Sequence, residues 1–279
     1  MLNIGGHRAL IRVLMICAFA AFPIVVLASH SWNGYHWART ANPFTLKVGN
    51  NMTTADWTSR FTKALSDWNT SDVLNLSPIT GTSNRHCSAV AGTVQVCNGN
   101  YGNNGWLGLA SIWLQSGTKH ITQGTAKMND TYFNKSTYNN PNEKQHVVCQ
   151  EIGHTFGLDH QDTSGKSLNT CMDYFSNTGA NAGSTLSTSP NKHDYDELDT
   201  IYAHLDSTTT LAASVGASRH AQDDSEDPND WGTLVSQSAN GRSSTYERYN
   251  ADGSIKVTHV LWTIETAQNC PSCDHRYEH

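Results

Sequence analysis

The sequence predicts an α+β domain. Three observations predict it. Short alternating apolar runs, broken by Gly and Asn, recur through the first half of the chain. One segment, 53–68, repeats apolar residues at helical spacing. A second, 146–160, places Gln150, Glu151 and His154 on one helical stretch and follows it with Gly157 and His160.

In chain order, 29–42 is an aromatic-rich lead-in holding Trp32, Tyr35, His36 and Trp37, too short for a folded prodomain and without a cysteine to plug a metal site. Residues 44–48 alternate like a first strand. Thr53 with Asp56 resembles a capping box, and Trp57, Phe61, Leu65 and Trp68 give the following helix one apolar stripe, read as core packing. Strands are predicted at 73–76, 92–97 and 106–114. The loop Tyr101-Gly-Asn-Asn-Gly105 carries oxygens that could hold calcium, a plain turn being the simpler reading. A strand at 120–128 is placed at the sheet edge, where an extended peptide could pair with it. A polar connection, 129–144, leads to the second helical segment, with His146 as its opening residue.

The spacing on that helix has a physical reason. Positions 150 and 154 lie one above the other, about 6 Å apart along the axis, so two side chains there can grip one ion. Glu151 is turned about 100° away and can take a proton from water activated by the ion. Gly157 tolerates the left-handed conformation that ends a helix, letting His160 return to the metal. His146, roughly 12 Å along the axis from His154, is too far to share it. Further on, Ser189-Pro190 can start another helix, with Tyr195, Leu198, Tyr202 and Leu205 on one face. Residues 207–230 form a Ser/Thr/Ala-rich and then acidic linker, and 231–279 a small β-meander with hairpin turns at Asn240-Gly241 and Asp252-Gly253.

Composition limits the function classes. Only 15% of the 279 residues are charged, against about 25% in ordinary soluble domains. Arg8 and Arg12 precede an apolar run ending in Val26-Leu27-Ala28, the pattern of a signal peptide over 1–28. Its removal takes two Arg and no acid, so the formal charge goes from −6 to −8 (−6 − 2), and no basic face suggests nucleic acid. The expected product is a secreted, extracellular monomer, off the membrane once the signal is cleaved. Six cysteines remain after Cys17 leaves, an even number that suits disulfides in an exported chain. The local choice joins Cys87 with Cys97, Cys149 with Cys171, and Cys270 with Cys273.

Taken together, Glu151-x-x-His154-x-x-Gly157-x-x-His160, then Met172 in Cys171-Met-Asp-Tyr174, then the helix from Ser189, resemble the metzincin clan of zinc metalloproteases, and within it a matrixin-like domain over 43–206. The resemblance implies a twisted, mixed, mostly parallel sheet with two long helices, a Met-turn at Met172 and a C-terminal helix. It implies one catalytic zinc, Glu151 as general base, a peptide or protein substrate, and Tyr174 at the offset where some relatives reach the metal or the reaction's oxyanion. The departure is Gln150, which stands where the clan has its first histidine ligand. A carbonyl oxygen suits zinc less well than imidazole. Three readings stay open. Gln150 ligates beside His154 and His160 in a working endopeptidase. Gln150 holds a water, and Tyr174 or another side chain completes the metal. Or the chain is an inactive pseudoprotease acting as an extracellular binding protein.

Overall fold

The computed structural model describes residues 30–82, 86–211 and 226–277. The expected signal segment 1–28 and most of the expected linker lie outside the described residues. Nine strands form one sheet: β1 (His36–Trp37), β2 (Phe44–Asn51), β3 (Leu74–Thr80), β4 (Thr93–Gly99), β5 (Trp106–Leu114), β6 (His120–Asn129), β7 (Thr233–Gln237), β8 (Ser243–Tyr249) and β9 (Ile255–Trp262). Among the described residues five α-helices accompany them: α1 (Ala55–Trp68), α2 (Asp130–Phe133), α3 (Pro141–His154), α4 (Lys192–Ile201) and α5 (Ile264–Asn269). The sheet is mixed, in the order β3-β2-β4-β6-β5-β9-β8-β7, with β1 also pairing β6. Pairings among β1, β2, β3, β4 and β6 are parallel. Those made by β5 and the last three strands are antiparallel.

The two long helices pack against each other, α3 on β5 and β6 and α1 on β3. Trp57, Phe61, Leu65 and Trp68 of α1 are buried as the stripe predicts, each contributing about 1.5–3 kcal/mol by removal from water. The cap is displaced by one residue from expectation. Thr54 accepts the Trp57 N–H, whereas Thr53 exchanges hydrogen bonds with the Asn98 amide, and Asp56 pairs with Arg60 and Lys144. Helix α3 starts earlier than His146. Asn140 caps it by accepting the N–H groups of Asn142 and Glu143, and Pro141 fits the first turn, where no intrahelical donor is needed. The preceding connection also holds the single turn α2. Likewise α4 is capped by Asn191 with Asp194 in a reciprocal capping box, not by Ser189, whose hydroxyl donates to Asp67.

The strand expected at the edge is interior: β6 is paired by β4 on one side and β5 on the other. A peptide therefore cannot add to it. The C-terminal meander has its hairpin turns at the expected Gly241 and Gly253, both at positive φ. It continues the main sheet, because β9 pairs with β5 along eight registered positions. Trp231, Tyr246, Val260 and Trp262 then bury a second apolar cluster with Trp106 and Leu109 of β5. Three disulfides join Cys87–Cys97, Cys149–Cys171 and Cys270–Cys273. The 101–105 loop is held as a turn by Asn129, Thr131 and its own Asn104. Among the described residues no helix is long and apolar enough to cross a membrane.

Candidate metal centre

Helix α3 delivers Gln150, Glu151 and His154 to the interior, all fully buried. Beyond it the chain turns at Gly157, whose φ is +100°. A side chain there would also meet the Tyr35 carbonyl oxygen at 2.0 Å, so glycine is required twice over. The lead-in holds this turn: the Trp32 N–H donates to the Gly157 carbonyl at 2.7 Å, and the Asp159 N–H to that of His30 at 2.5 Å. His160 is thereby returned beside His154, ring centroids 4.6 Å apart.

The third member of the site comes from β9. His259 faces Ala110 in the register of β5, and its ring lies 4.0 Å from His154 and 4.6 Å from His160. One nitrogen from each of the three rings falls within 4.8 Å of the others. Glu151 stands beside them, its Oε2 3.8 Å from His259 Nδ1. Strand β5 lies flush against this carboxylate, since a Cβ on Gly108 would come within 2.3 Å of Glu151 Oε1.

The donor atoms have no other use. His154 Nε2, His160 Nε2, both nitrogens of His259, both oxygens of Glu151 and Gln150 Oε1 are buried without a hydrogen-bond partner. Each such orphan costs about 1–3 kcal/mol if left unmet, and the convergence of the three imidazoles beside Glu151 fits a bound cation. The tautomers agree. His154 Nδ1 donates to the Leu158 carbonyl at 2.8 Å, and His160 Nδ1 lies 2.8 Å from the Tyr174 hydroxyl and 3.2 Å from Asp159. Both Nε2 lone pairs are left free. Burial pushes His154 down to about 4, and burial, then the neighbouring imidazoles, hold His160 and His259 well below their ordinary value. All three rings are neutral at neutral pH, the form that binds metal. Burial raises Glu151 well above the usual carboxylate range.

The other expected residues take defined places. Gln150 directs its amide N–H groups to the carbonyls of Cys171 (3.0 Å) and Asp173 (2.9 Å), tying the helix to the turn around Met172. Met172 packs under the helix, its sulfur 2.6 Å from where a Gly153 Cβ would be. The Cys149–Cys171 bridge joins the same two segments. Tyr174 is engaged by His160 and by the Ser243 hydroxyl of β8, and burial raises its pKa well above the ordinary value. His146 hydrogen-bonds Asp173 and Asn177, away from the cluster. A cavity of about 390 Å³ opens beside Tyr174, between Phe175, Asn240, Arg242 and Ile264.

His259 is the residue of this candidate site that sequence reasoning missed. Its only local signal is a histidine set in a strand end that is apolar but for Thr258, Val257 to Trp262. No spacing rule connects it to His154, because the link is a strand pairing across the sheet.

No family model matches the chain, and no curated protein matches it. Among solved structures, myroilysin is 13% identical with a TM-score of 0.37, over 62% of this chain and 84% of that one. High choriolytic enzyme 1, a hatching-enzyme zinc-protease from the medaka fish Oryzias latipes, is 10% identical with a TM-score of 0.34, over 61% of this chain and 96% of that one.

Proposed function

We propose that the chain is a secreted zinc-dependent endopeptidase of the metzincin type, with His154, His160 and His259 holding the metal and Glu151 as general base. The observation that carries this reading is the enclosure of three neutral imidazoles and one carboxylate whose facing atoms have no partner in the protein. Three imidazoles with a neighbouring carboxylate are the donor set of a hydrolytic zinc site with one position left for water. Bound there, zinc would activate water and polarise a peptide carbonyl.

The chain's own residues then do the rest. Glu151, without a hydrogen-bond partner and pressed against β5 at Gly108, accepts a proton and returns it to the leaving amine. The Leu158 carbonyl fixes the His154 ring, and Tyr174 with Asp159 fixes His160. Tyr174 therefore acts here as a positioning residue, its hydroxyl already shared between His160 and Ser243. Gln150 holds the Met172 turn in place, and His259 supplies the imidazole that position 150 lacks. Three disulfides suit an exported protein.

A second reading, an inactive extracellular binding protein that keeps a buried metal, is favoured by one observation: Glu151 and His154 are fully buried, and β5 has both edges paired. The test is cleavage of an unfolded protein substrate by the zinc-loaded chain, with Glu151→Gln alongside and the zinc content of both measured. Cleavage lost in the variant at equal zinc content supports the endopeptidase. Zinc bound without cleavage by either supports the binding protein.

A further inference from the structure

A second group of metal-binding side chains lies at the end of the fold that joins the lead-in to the segment after α4. His36 of β1, His204 and Asp206 each place one ligand atom within 4.8 Å of the others. His36 Nε2 and His204 Nε2 are 3.2 Å apart, and they lie 3.6 and 3.7 Å from Asp206 Oδ1. Ligands held about 2.0–2.1 Å from a tetrahedral zinc ion are about 3.3–3.4 Å from one another, which these separations bracket.

The surroundings prepare the same atoms. His36 Nδ1 donates to the Gly34 carbonyl at 2.8 Å, so its Nε2 presents a lone pair. The Asp206 carboxylate is divided between two tasks. Its Oδ2 accepts the Arg39 backbone N–H at 3.2 Å and the Arg39 guanidinium at 3.0 Å. Its Oδ1 is left to the imidazoles, with His120 Nε2 of β6 reaching it at 3.2 Å. Without a cation, the His204 Nε2–H can donate to His36 Nε2 across 3.2 Å; with one, His204 takes its other tautomer and both Nε2 lone pairs face the ion.

We propose that His36, His204 and Asp206 bind a second zinc ion, with His120 orienting the carboxylate and the fourth position open to solvent beside the half-exposed His204. The ion pins the lead-in, which also holds the Gly157 turn of the first site, to the chain beyond α4. Two nitrogens and one carboxylate oxygen are a borderline-to-hard donor set that suits zinc. The inference does not depend on whether the first site hydrolyses anything.

The test is elemental analysis of the purified full chain after zinc loading and removal of free metal, beside His204→Ala. His204 is a surface residue, so the variant folds without loss of core packing. Two zinc ions per parent chain and one per His204→Ala chain are expected. A melting temperature that rises with zinc in His154→Ala, and no longer does when His204→Ala is added, would agree. Equal zinc content in the parent and His204→Ala overturns the proposal, as does a single zinc in the parent that His154→Ala abolishes.

Discussion

His259→Leu separates the two candidate third ligands. The replacement keeps an apolar side chain of similar bulk on β9 and removes both ring nitrogens. In the metal-free chain those nitrogens are buried without partners, so their removal should raise stability by about 1–3 kcal/mol. In the zinc-bound chain the sign reverses. Zinc binding to a four-ligand protein site is worth about 10–16 kcal/mol, or about 2.5–4 kcal/mol per ligand. At about 1.4 kcal/mol per decade, losing one ligand should weaken zinc binding about 60- to 700-fold. Competition against a chelator of known affinity measures this, and thermal melts with and without chelator give the two stabilities. Gln150→Leu is the contrast. It removes two hydrogen bonds to the carbonyls of Cys171 and Asp173 and should cost about 1–3 kcal/mol of stability, with zinc affinity nearly unchanged. If His259→Leu bound zinc within about threefold of the parent, or Gln150→Leu lost affinity to the same extent as expected for His259→Leu, the assignment of the third ligand to β9 would be refuted.

Two further outcomes test how the site is held. Replacing Cys149 and Cys171 together by Ala opens a loop of sequence separation 22, and the chain-entropy cost predicts a loss of about 3 kcal/mol, read as a fall in the denaturation midpoint. Ending the chain before Trp231 uncovers the outer edge of β5 and leaves Trp106 and Leu109 without the apolar cluster that covers them. That truncated chain should aggregate on size-exclusion chromatography, whereas a soluble, folded monomer would show that the meander is dispensable to the sheet.

The same residues show how far sequence reasoning reached. The stripe from Trp57 to Trp68, the strand 106–114, the hairpin glycines and the three local cysteine pairs were legible because each rests on contacts within one or two dozen residues. Helix starts were misjudged by a few residues where two capping residues competed, Thr53 against Thr54 and Ser189 against Asn191. The position of 120–128 inside the sheet was not legible, because its neighbours are chosen by pairings across the chain.

The sequence by itself determined the half of the candidate metal site that one helix and one turn can carry. Glu151, His154, Gly157 and His160 are tied by 3.6-residue periodicity and a left-handed glycine, both local properties of the chain. Only the tertiary structure decided the remainder. It gave the Gln150 amide to the Met172 turn, and it brought His259 from a strand about a hundred residues away because β9 pairs with β5 directly against Glu151. Which strands become neighbours is decided by the packing of the whole sheet, and no spacing around His154 in the sequence points to β9.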